Sequence, residues 1–175
     1  MIRTTLFALV LLIPTNALAQ HAHKNSNTPT ETGQSTFATI AEIVEIVNND
    51  PKTDWSKVNI TDLRSHLLDM DRVTMDAGVE VNSKATEVEF KVTATGEAIG
   101  SIQRMVSAHS DMLSAETGWG VQSIPISDGM ILSITVNQTK ELSQVEALGF
   151  FGVMTIGAHH QEHHLQIATG GNPHH

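Results

Sequence analysis

Between residues 61 and 136 the apolar positions switch twice from a helical period to a two-residue period. From Asp62 to Ala77 the apolar stripe is Leu63, Leu67, Met70, Thr74 and Ala77, the spacing of one helix face. Thr61 is the expected N-cap and Gly78 the expected stop. From Glu87 to Thr95, Val88, Phe90, Val92 and Ala94 alternate with Glu89, Lys91 and Thr93, the pattern of a half-buried strand ending at Gly96. A second helix follows over Glu97 to Thr117, with Ala98, Ile102, Met105, Val106, Met112 and Leu113 inward and Gly118 closing it. Val121 to Ile126, the turn Ser127-Asp128-Gly129 and Met130 to Val136 then read as a hairpin. Helix then strand over 62–95, and again over 97–136, is a faint internal repeat.

Two further helices flank this unit. Phe37, Ile40, Ile43, Val44 and Val47 give a short helix over Thr36 to Asn49, ended by Asn48-Asn49-Asp50-Pro51. Lys140 to Thr169 reads as one long final helix, stopped at Gly170-Gly171-Asn172-Pro173. Gly149, Gly152 and Gly157 inside it each cost about 1 kcal/mol against alanine, a cost that close packing or a dimer contact would offset. The expected fold is α+β. A small, mainly antiparallel sheet is covered by three long helices and one short helix, in a single domain over 36–171.

The start of the chain has another character. Arg3 supplies a positive charge, Leu6 to Ile13 an apolar run, Pro14 a break, and Ala17-Leu18-Ala19 small residues for cleavage. Residues 1–19 therefore read as a secretory signal peptide, and the expected location is a bacterial periplasm. The run is too short for a membrane span, which takes about 20 apolar residues, so no membrane insertion is expected after cleavage. Residues 20–35, rich in Asn, Thr, Ser and His, read as a disordered leader, and 172–175 as a flexible tail.

Losing Arg3 would leave nine basic residues against nineteen acidic, a net charge of −10 with histidine neutral. That balance disfavours nucleic acid and anionic lipid as partners and favours cations. Cysteine is absent, which excludes disulfides, thiolate metal sites and a cysteine nucleophile. No G-x-S-x-G, Walker loop or Cys-x-x-Cys-His occurs, and nothing in the sequence assigns an enzymatic reaction.

Histidine is the exception to this plainness. Six of the ten histidines fall in the last 17 residues, and two more fall on predicted helix faces. His66 lies at the edge of one apolar stripe, a turn before Met70. His109 lies at the centre of the next, between Met105 and Met112. On the final helix His160 falls within the stripe, His163 and His164 on its shoulders, and His159 further round. Positions i and i+4 are neighbours, so His160 with His164, or His159 with His163, can hold one ion. Imidazole and thioether together suit soft or borderline metals, copper above all, with zinc as the alternative. The predicted site is His66, His109 and His160, completed by His163 or His164 and by Met70, Met105 or Met112. Asp69 and Asp71 read as solvated carboxylates on the polar face.

His159-His160-Gln161-Glu162-His163 matches the H-x-x-E-H pattern of inverted zinc peptidases, but no acidic residue follows Glu162 to complete it. The fifteen residues Met154 to Ala168, with their doubled histidines, are similar to the His/Met segments of small periplasmic copper-handling proteins. That resemblance implies copper storage, delivery or tolerance, with a second copy or a periplasmic metalloprotein as partner. Other readings stay open: a haem or other redox-cofactor binder with axial His109 or His160, a pH-sensing or protein-interaction module, and a metal-dependent enzyme.

Overall fold

The computed structural model describes residues 36–157 and 160–171, with the side chains of His160 and Gln161 excepted. The signal peptide, the leader, His159 and the tail lie outside the described residues. The elements run α1 (Thr36–Asn49), α2 (Ile60–Asp76), β1 (Gly78–Ser83), β2 (Glu87–Thr93), α3 (Glu97–Thr117), β3 (Gly120–Ile126), β4 (Gly129–Thr135), α4 (Thr139–Val153) and α5 (His160–Ala168). The α+β fold is as expected, with a four-stranded antiparallel sheet in the order β1-β2-β4-β3. No helix among the described residues is long and apolar enough to cross a membrane.

The faint repeat becomes exact in the sheet. Gly78 pairs with Thr93 in the first hairpin and Gly120 with Thr135 in the second, and the central seam pairs Phe90 with Leu132. Gly78 to Gly120, Thr93 to Thr135 and Phe90 to Leu132 are all separations of 42 residues. A local two-fold axis therefore passes between Phe90 and Leu132. Around it Val88, Phe90 and Val92 of β2 meet Ile134, Leu132 and Met130 of β4, all buried. Each such side chain contributes about 1.5–3 kcal/mol by leaving water.

The helices break this symmetry. α3 lies across β3 and β4, whereas α2 turns away to pack on α3, α1 and α5, and α4 returns to cover β2. Two cores result. The larger joins the sheet, α3 and α4 around Phe90, Ile102, Leu113, Leu132 and Phe150. The smaller joins α1, α2 and α5 around Ile43, Leu63, Leu67 and Ala168.

Three expectations are corrected. First, the sheet has a fourth strand, β1, directly after α2; it is an edge strand, exposed at all positions but Val79, which is half-buried. Second, the final helix is two helices, giving five helices where four were expected. Gly149 has φ 60° and ψ −176° inside α4, and Gly157 has φ 66° in the turn that follows. The Gly149 backbone is open to glycine alone and positive φ at Gly157 strongly favours glycine, so these glycines interrupt the helix instead of tightening its packing. Third, α2 is capped by Asn59, not Thr61. The Asn59 side chain accepts from the Asp62 amide and donates to the Asp62 carboxylate.

Candidate metal centre

Two histidines on separate helices, His164 of α5 and His109 of α3, are buried. His164 meets α2. The His66 and His164 rings stand edge to face with centroids 5.6 Å apart. His164 is buried, and both Nε2 atoms are shielded from solvent. Met70, one turn on from His66, packs into the same α1–α2–α5 cluster as Leu165 and Ile167 of α5.

His109 of α3 meets the end of α4. His109 is buried and donates to the backbone carbonyl of Val153, near the end of α4. Its Nε2 is buried with no hydrogen-bond partner among the described residues, so the bond to Val153 runs from Nδ1. That bond fixes the tautomer and leaves a lone pair on Nε2, the arrangement of a preset metal ligand. Burial pushes the His109 pKa down, and the nearby charge of His163 pushes the same way. Both effects keep the ring neutral, as ligation requires. Met105 and Met154 pack at the edge of the larger core, and Met112 lies under the Gly157 turn.

The structure thus brings together His66 with His164. Among the described residues no three His, Asp or Glu side chains form a group able to hold a metal. The side chains of His159 and His160 lie outside the described residues. Among the described residues of α5, His164 is the buried histidine, one turn after His160 along the same helix face.

Sequence reasoning missed Asp69. It is buried, accepts from Ser101 Oγ at 2.7 Å, and takes both Nε and Nη2 of Arg104 at 2.7 Å. Burial alone raises its pKa, but the hydrogen bonds from Arg104 and Ser101 outweigh this and hold it below the usual value. These partners come from α3, more than thirty residues away, and leave no local signal. No known protein family matches the chain, and neither the curated proteins nor the solved structures contain a significant match to it.

Proposed function

We propose that this protein binds copper through histidine and methionine in the periplasm, for storage, delivery or tolerance. The carrying observation is the 5.6 Å approach of the His66 and His164 rings from separate helices. An ion about 2.0 Å from one nitrogen of each ring sets ring centroids roughly 5–6 Å apart. Met70 is the nearest thioether along α2 and supplies the soft donor that favours Cu(I). His109, buried on α3 with its tautomer set by Val153, offers a further neutral imidazole. The edge-to-face contact of His66 and His164 suits a shared ion and not the two axial faces of a haem.

Export belongs to the same reading. The signal-like residues 1–19 would deliver an acidic, cysteine-free chain to a compartment where metal ions arrive from outside. The test is titration of the purified protein with Cu(I), Cu(II) and Zn(II), with chelator competition and calorimetry. Stoichiometric, tight Cu(I) uptake is expected, weakened by His66→Gln with His164→Gln. Unchanged affinity and stoichiometry in that double variant would refute the site.

A further inference from the structure

We propose that the open groove between α2 and the first turns of α3 binds a small organic anion through a carboxylate or phosphate group. The groove has a volume of about 650 Å³, within the range of small-ligand pockets. The chain carries a net charge of −9 and has only three arginines after Arg3, yet Arg64, Arg72 and Arg104 all line this one groove. Asp69 and Glu97 also line it, so three guanidiniums face two carboxylates and one positive charge remains.

The arginines are not equivalent. Arg104 is pinned to Asp69 through Nε and Nη2, yet its side chain stays 62% exposed. A fixed, exposed guanidinium is a preorganised fork for an oxyanion. Gly100 makes room for it, since a Cβ there would lie 3.1 Å from Arg104 Nη1. Arg72 is held between Asp69 and Glu97. Arg64 is exposed and makes no ion pair among the described residues, so its charge is available to a ligand. Gly96, the N-cap of α3, also lines the groove and makes no side-chain cap hydrogen bond. Leu68 adds an apolar wall for the carbon part of the ligand. No histidine or methionine lines the groove, so this site is separate from the copper reading.

The experiment is calorimetric titration of the purified protein with inorganic phosphate and, separately, with succinate, at low salt. Saturable binding of one of them is expected, and the stronger arm identifies the recognised group. Arg64→Gln should weaken it about fivefold or more and Arg64→Glu should abolish it, with the thermal midpoint and copper uptake unchanged. Absence of saturation by either anion up to about 10 mM, a range that covers weak millimolar binding, would overturn the proposal. So would equal binding by Arg64→Glu.

Discussion

His66 on α2 and His164 on α5 meet edge to face with their ring centroids 5.6 Å apart, although 98 residues separate them in the chain. Two groups that ligate one ion behave as a unit, so their removal is not additive. His66→Gln and His164→Gln should each weaken Cu(I) binding by about tenfold or more, equal to at least about 1.4 kcal/mol. The double variant should be little weaker than either single one. Chelator-competition affinities for all four proteins decide this. Multiplying losses would place the two rings at different ions.

Asp69 ties α2 to α3 through Ser101 and Arg104. Its native pKa lies below the ordinary value. It therefore adds stability above the unfolded carboxylate range near 3.9, and that share is lost as pH falls through the native value. Asp69→Asn should cost about 2 kcal/mol at pH 7, the worth of a hydrogen bond to a charged group. It should also flatten the fall in stability below pH 4. Urea unfolding at pH 7 and pH 3.5 measures both effects.

These relationships differ in how far the sequence reveals them. The bounds of α1, the run of α3 to Gly118 and the strands β2 and β4 were readable, because their apolar period is regular and turn residues end them. The inward turn of His109 was readable for the same reason, since it sits between Met105 and Met112 on one face. β1 was not, because Val79 and Val81 alternate for only six residues on an exposed edge. The break in the last helix was hidden as well. An interior glycine looks alike in sequence whether it stays helical, as Gly152 does, or turns to positive φ, as Gly149 and Gly157 do. The turn at Gly157 and the separate start of α5 therefore left no mark in the apolar pattern. Asp69 was read as solvated because its partners lie on another helix.

The Gly149 kink swings Phe150 into the larger core, where its ring lies 6.3 Å from that of Phe90. Nothing lies within 4 Å of a Cβ added at Gly149, so only the backbone conformation opposes a side chain there. Gly149→Ala should destabilise by about 1–3 kcal/mol, the strain of a glycine-only backbone region. At Gly152 the backbone is helical, but an added methyl would lie 2.9 Å from Leu148 Cβ, an atom no rotamer change moves, so Gly152→Ala destabilises through crowding alone. Comparing the two urea midpoints separates backbone strain from crowding.

Gly129 opens β4 opposite Thr93, and here space, not backbone angle, demands glycine. A Cβ at this position would fall 1.9 Å from the Val92 carbonyl oxygen and 2.9 Å from the Thr93 Cα. Both are main-chain atoms of the neighbouring strand, so no side-chain rotation relieves the clash. The strands must part at the end of the β2–β4 seam, which loosens the packing of Met130 on Val92. Gly129→Ala should therefore cost more than Gly149→Ala, about 4 kcal/mol, which is exceptional for adding a single methyl group. Amide hydrogen exchange should show the loss of protection starting at Val92 and Met130 and weakening toward Val88 and Ile134. A uniform loss of stability with the seam's exchange pattern unchanged would mean that the strands absorb the methyl without parting.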